Sequence, residues 1–152
     1  MNKLVIANRG AGGIGKSASV KAVYYLLKSK GYQLISETWQ YEEEIGDIKA
    51  IFDINGVKVG IESQGDPGYD MEKTMEEFVG INCDIIITSC RTRLDNYHKV
   101  TDYLGEENGY DILWAAHYVY QAPGADKTRA LLNARYAQQV YQLIQDRING
   151  VI

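Results

Sequence analysis

The sequence predicts an α/β three-layer sandwich, a single domain over residues 1–152, with a mostly parallel sheet and one antiparallel hairpin. Three observations lead there. Short apolar runs alternate with stretches whose apolar residues recur every three or four positions, the pattern of strands alternating with amphipathic helices. A glycine-rich octet, Gly10 to Ser17, stands between the first apolar run and the first helical stretch. Asn55-Gly56 lies between two alternating runs, the strongest short-range hairpin signal.

Each element has its own reason. Leu4-Val5-Ile6-Ala7 reads as a short buried strand. Val20, Val23, Tyr24 and Leu27 then share one helical face, predicting a helix from Lys16 to Ser29 that stops at Gly31. Tyr32-Gln33-Leu34-Ile35 is a short strand. Residues 36–47 are polar and acidic around Glu42-Glu43-Glu44, an exposed connector. Residues 48–54 and 57–61 flank Asn55-Gly56 as the hairpin, and residues 62–68 form a loop of Gly, Pro and acid. Asp70 caps a helix with Met71, Met75 and Phe78 on one face, ended by Gly80. Residues 84–88, around the apolar run Ile85-Ile86-Ile87, read as a central buried strand. Leu94, Tyr97, Val100 and Leu104 outline a helix, and residues 105–109 a turn. Residues 110–120 are the last strand, with His117 in its second half; Pro123-Gly124 breaks it. A final helix covers residues 126–148, with Leu132, Tyr136, Val140, Leu143 or Ile144, and Ile148 on one face.

Composition narrows the function classes. A net charge of −4 and a pI of about 5.2, with no long basic run, argue against nucleic acid as a partner. No stretch approaches the roughly 20 apolar residues of a membrane span. The N-terminus runs straight into the first strand, so no signal peptide and a cytoplasmic location are expected. Cys83 and Cys90 flank an apolar run without metal-site spacing, which predicts two reduced thiols. The twelve tyrosines fall mostly at periodic positions and are expected to fill core and rim.

The chemistry centres on Gly10-Ala11-Gly12-Gly13-Ile14-Gly15-Lys16-Ser17. This is G-x-x-x-x-G-K-S, the Walker A loop of P-loop NTPases, in the strand–loop–helix context that the motif requires. Gly10, Gly12, Gly13 and Gly15, with Ile14, let backbone N–H groups turn inward around phosphate oxygens. The helix N-terminus at Lys16, Ser17 and Ala18 adds partial positive charge. Lys16 is expected on the β- and γ-phosphates of ATP or GTP, and Ser17 on Mg²⁺. The ion also needs a carboxylate, usually from the end of an apolar strand beside the phosphate-loop strand. Glu62 is the first candidate and Asp66 the second. Arg91 and Arg93 follow the central strand, and Arg91 is the arginine expected near the phosphates; Arg129 and Arg135 are expected on the surface of the last helix. Trp39 and Trp114 are the two rings able to stack on a base, with Trp114 expected in the core. His117 is expected to be a strand histidine with a satisfied hydrogen bond.

Residues 10–18 closely resemble the phosphate loop of Ras-like small GTPases, and residues 48–65 resemble their second and third strands, which end in Asp-x-x-Gly. Here that motif reads Glu62-Ser63-Gln64-Gly65. The resemblance implies a γ-phosphate contact from the Gly65 N–H, Asp66 in place of the water-orienting Gln, and Thr38 as the switch threonine. It stops at mid-chain: neither Thr88-Ser89-Cys90-Arg91 nor Ala115-Ala116-His117 supplies the guanine-reading Asn-Lys-x-Asp. Residues 11–17 are also similar to the loop of partition-type ATPases, with Ala11 in place of their signature lysine, and Asp66-Pro67-Gly68 resembles a turn of that group.

Together these residues imply nucleoside triphosphate binding with slow Mg²⁺-dependent hydrolysis. A small-molecule or nucleotide kinase using the same loop, and a non-hydrolysing regulatory module acting on a protein partner or in a homodimer, remain open.

Overall fold

β1 (Leu4–Arg9) has a parallel neighbour on each side and is buried except at its last residue. In this computed structural model the described residues are 1–9, 16–40, 46–64, 69–90 and 95–152. Along them run α1 (Lys16–Ser29), β2 (Gln33–Trp39), β3 (Ile48–Ile54), β4 (Val57–Glu62), α2 (Tyr69–Gly80) and β5 (Ile85–Cys90). α3 (Asp95–His98), a π-helix (Lys99–Glu107), β6 (Asp111–Ala115) and α4 (Asp126–Ile148) complete the order. The six strands form one α/β sheet in the order β2-β3-β4-β5-β1-β6. The pairs β4·β5, β5·β1 and β1·β6 are parallel. β3 runs antiparallel to β4 through the hairpin, and β2 adds antiparallel to β3 at the edge.

The period of two in β1 and β5 sorts their side chains between two apolar clusters. Leu4, Ile6, Ile85 and Ile87 pack with Val20, Val23, Tyr24 and Leu27 of α1 and with Tyr136, Val140 and Ile144 of α4. Val5, Ala7 and Ile86 pack instead with Met71, Met75 and Phe78 of α2 and with Val100 and Leu104 of the π-helix. Helices therefore cover both faces, and the continuous apolar runs of β1 and β5 follow from that. The hairpin turn has Asn55 at φ 54° and Gly56 at φ 88°, left-handed at both central positions. The Asp53 carboxylate accepts the Gly56 N–H at 2.7 Å.

Several boundaries differ from expectation. β2 runs on to Trp39 through residues 36–39, which the sequence suggested were connector. Its register shifts between Leu34 and Ser36, leaving Ile35 as an extra, exposed residue. The bulge breaks the period of two, so Leu34, Glu37 and Trp39 are partly covered while their neighbours are exposed. β4 includes Glu62, and β5 continues to Cys90. α2 starts at Tyr69, so Asp70 stands within its first turn and not ahead of it. Gly105 belongs to the π-helix, not to a turn: a Cβ there would lie 2.9 Å from Ile112 Cδ1, so an added side chain would make the end of Ile112 move. The turn comes at Gly109, with φ 72°. β6 ends at Ala115, five residues before its expected end at Tyr120; Tyr118, Val119 and Tyr120 are exposed. α1, β3 and α4 have the limits the sequence predicts. Among the described residues no helix is long and apolar enough to cross a membrane.

Candidate functional site

The parallel register brings the carboxyl ends of four strands to one edge. Asn8 pairs with Ser89 and Ala115, and Glu62 with Thr88. β2, antiparallel to an antiparallel strand, ends there too, with Thr38 and Glu62 both opposite Lys49. The chain after β1 enters α1 on one face of the sheet, whereas the chain after β5 crosses on the other face to reach β6. The carboxyl end of β1 is therefore a topological switch point, the place where open α/β sheets bind ligands.

At this edge Ser17, in the first turn of α1, donates its hydroxyl to Asp47 Oδ1 at 2.6 Å. The same oxygen accepts the Ser63 hydroxyl at 2.9 Å. Ser63 Oγ in turn accepts the Ile48 N–H at 2.9 Å, and its own N–H reaches the Ile48 carbonyl at 3.1 Å. Asp47 thus ties the start of α1 to the entry of β3 and the exit of β4. Lys21, one turn along α1 from Ser17, donates to the Gly46 carbonyl at 3.0 Å and fixes the approach to Asp47. Ser89 Oγ holds the Ser63 carbonyl at 3.0 Å, which extends the network to the end of β5.

Glu62 is fully buried. Oε2 accepts the Thr88 hydroxyl at 3.1 Å and Oε1 accepts the Gln64 N–H. Those bonds offset part of the cost of removing a carboxylate from water. Its strand does not lie beside β1, as the sequence suggested: β5 stands between β4 and β1. The described bonds place Asp47, not Glu62, against Ser17. In the sequence Asp47 closes the polar, acidic stretch 36–47. The local signal that marked it was its place one residue before a strongly apolar strand.

The other expected residues divide as follows. Gly10, Gly12, Gly13, Ile14, Gly15, Gly65, Asp66 and Arg91 lie outside the described residues, as do Glu42-Glu43-Glu44, Pro67, Gly68, Arg93 and Leu94. Lys16 opens α1, and Ala18 is exposed in its first turn. Thr38 is exposed at the end of β2. Trp39 packs edge-on to Tyr24 and donates its indole N–H to Glu37 at 2.6 Å. Trp114, half-buried rather than core, stacks on Tyr97 with ring centroids 5.4 Å apart. His117 lies past β6 instead of within it, buried, with Nδ1 3.2 Å from Asn8 Oδ1. Arg129 and Arg135 are exposed on α4, the former paired with Asp126 at 2.6 Å. Both cysteines are buried and outside any disulfide, and burial pushes the Cys83 thiol up to about 12.

Beside the Asp47 network opens a cleft of about 270 Å³ between the β2–β3 edge and α2. Thr38, Gln40, Asp47, Gln64, Lys73 and Thr74 are among its walls, and none of the described lining residues is aromatic. The Gln64 amide donates to Gln40 Oε1 at 2.6 Å, and Lys49 pairs with Glu77 at 2.7 Å across the opening.

No protein-family model, curated protein or solved structure matches this chain.

Proposed function

We propose that the chain binds a nucleoside triphosphate with Mg²⁺ at the carboxyl end of β1, in a three-layer P-loop NTPase arrangement, and hydrolyses it slowly. The observation that carries this reading is the Ser17 hydroxyl, eighth residue of the Walker A octet, held at 2.6 Å by the Asp47 carboxylate. In such loops that hydroxyl serves the ion. Among the described residues no group of three or more His, Cys, Asp or Glu side chains is arranged to hold a metal. Mg²⁺ does not need one, because it keeps several waters and takes one or two protein oxygens beside those of the phosphates. Ser17 Oγ and Asp47 are hard oxygen donors of the required kind, and Asp47 supplants Glu62 as the preferred carboxylate. The ion, when bound, offsets the negative charge of the phosphates. Asp47 orients Ser17, the N-terminus of α1 faces the phosphates, and Lys16 adds a point charge. Buried thiols outside any disulfide and an acidic chain accord with a cytoplasmic protein.

The test is a thermal melt with ATP, GTP, ADP and GDP, with and without Mg²⁺, on wild type and Lys16→Ala. A ligand at a hundred times its Kd adds about 2.7 kcal/mol. For a domain of this size that raises the wild-type Tm by about 5–10 °C. Lys16→Ala should melt like the free wild type and show no shift. With no Asn-Lys-x-Asp in the sequence, ATP and GTP should shift Tm comparably. Equal shifts in wild type and mutant would sink the reading.

A second reading, phosphoryl transfer to a small acceptor, is favoured by the cleft that shares Asp47. An acceptor hydroxyl there would have a carboxylate at hand to take its proton. Phosphorylated product from an added hydroxylated metabolite, in place of free phosphate, would favour it over hydrolysis.

A further inference from the structure

Arg9 is the exposed last residue of β1 and the residue immediately before Gly10. Its side chain follows Val5 and Ala7 onto the face of the sheet opposite α1. There its guanidinium carbon lies 5.3 Å from the centroid of the Tyr97 ring and 5.2 Å from that of Trp114. The two rings are stacked within 13° of parallel, so they form a single platform. Contact with aromatic rings holds an arginine without consuming its hydrogen-bonding capacity, because it leaves the five N–H groups able to donate. Among the described residues no carboxylate pairs with Arg9 and no acceptor takes its N–H groups. The platform is assembled from distant segments: Tyr97 from α3 and Trp114 from β6, the latter opposite Ala7 of β1. A cation held by rings, with no carboxylate partner among the described residues and next in sequence to the glycine-rich octet, has its charge and donors available to a phosphoryl anion.

We propose that Arg9 contacts the phosphate oxygens of the bound triphosphate, held ready by the Tyr97–Trp114 platform, from the face of the sheet opposite α1. This rests on the triphosphate reading above and adds to it a residue outside the Walker A octet. Arginine suits the task better than lysine, since its planar fork both stacks on the rings and pairs two oxygens at once. Tyr97 and Trp114 act through Arg9 and are positioning residues.

The test is calorimetric titration of wild type, Arg9→Ala, Arg9→Lys and Trp114→Leu with Mg·ATP, Mg·GTP and Mg·tripolyphosphate, the last lacking any base or sugar. Arg9→Ala should weaken all three ligands by the same factor, on the order of tenfold to a hundredfold, as for loss of a hydrogen bond to a charged group. Arg9→Lys keeps the charge but not the fork and should lose less. Trp114→Leu removes the platform and should also weaken the three ligands equally, by a smaller factor than Arg9→Ala. If Arg9→Ala melts in the titration range, Arg9→Lys carries the test, with unchanged affinity counting against the proposal. Wild-type affinity in a folded Arg9→Ala, or a loss for the nucleotides that spares tripolyphosphate, would overturn it while the triphosphate reading stands. A wild type that binds none of the three would overturn both.

Discussion

Asp47 places two hydroxyls on one carboxylate oxygen, so its replacements separate charge from geometry. Asp47→Asn keeps an acceptor for Ser17 and Ser63 and should fold, with a circular-dichroism midpoint near that of wild type. Losing the charge, it should lose the Mg²⁺-dependent part of the nucleotide-induced thermal shift. Asp47→Ala leaves both hydroxyls without this acceptor and should cost about 1–3 kcal/mol in a urea titration. A second carboxylate gives a pH signature. The Tyr24 hydroxyl, donating at 2.5 Å, holds Glu37 below its ordinary 4.5, with the Trp39 indole and Lys28 adding and burial opposing. A lowered folded pKa means stability that is present above the unfolded value and lost as pH falls through the folded one. Tyr24→Phe should therefore cost up to about 1 kcal/mol at pH 7, because solvent screens this carboxylate. The gap from wild type should narrow below about pH 4.5. A gap unchanged at pH 3 would show that packing, not the carboxylate, accounts for the loss.

At the scale of elements, two glycines give contrasting expectations. A Cβ at Gly60 would lie 2.8 Å from the Phe78 ring, against three of its carbons, where α2 crosses β4. At Gly105 the nearest atom is the far end of Ile112. Gly60→Ala should cost about 1–3 kcal/mol as overpacking. Gly105→Ala should cost less, because the Ile112 terminus can turn away. Comparable denaturation midpoints for the two variants would contradict this. The elements legible in the sequence were those with an unbroken period: α1, β3 and α4. β2 was cut short because its bulge at Ile35 shifts the period of two at the point where polar residues begin. The sequence predicts too long a β6 because Tyr118-Val119-Tyr120 has strand composition, but no strand among the described residues pairs with it. No side-chain pattern marks the π-helix, since Val100 and Leu104 fit an α-helical step equally well.

For the whole molecule, the octet and the alternation of strands and helices point in the sequence to the carboxyl edge of the sheet, where the proposed site lies. They do not point to Asp47 or Arg9. Asp47 is 30 residues from Ser17, and their contact depends on the antiparallel β3, which returns the chain to the starting edge. Arg9 is defined by Tyr97 and Trp114, which only the placement of β6 beside β1 brings within reach. Nor did the sequence reveal β5 between β4 and β1, because β4 and β5 have similarly apolar cores and strand order is not encoded locally.

That order also governs how the chain is made. The first strand synthesised is the one whose partners come last: Leu4 pairs with Ile85 and Asp111, each more than half the chain away. At about 5–20 residues per second, the apolar run of β1 leaves the ribosome several seconds before β5 exists to pair with it. α1 and the β3–β4 hairpin can form meanwhile from near neighbours, but the centre of the sheet cannot. The nascent protein is thus most vulnerable to aggregation at its own midpoint. Ribosome-stalled chains ending after α2 should still be cut by protease within β1, and chains stalled with β6 clear of the exit tunnel should be protected there.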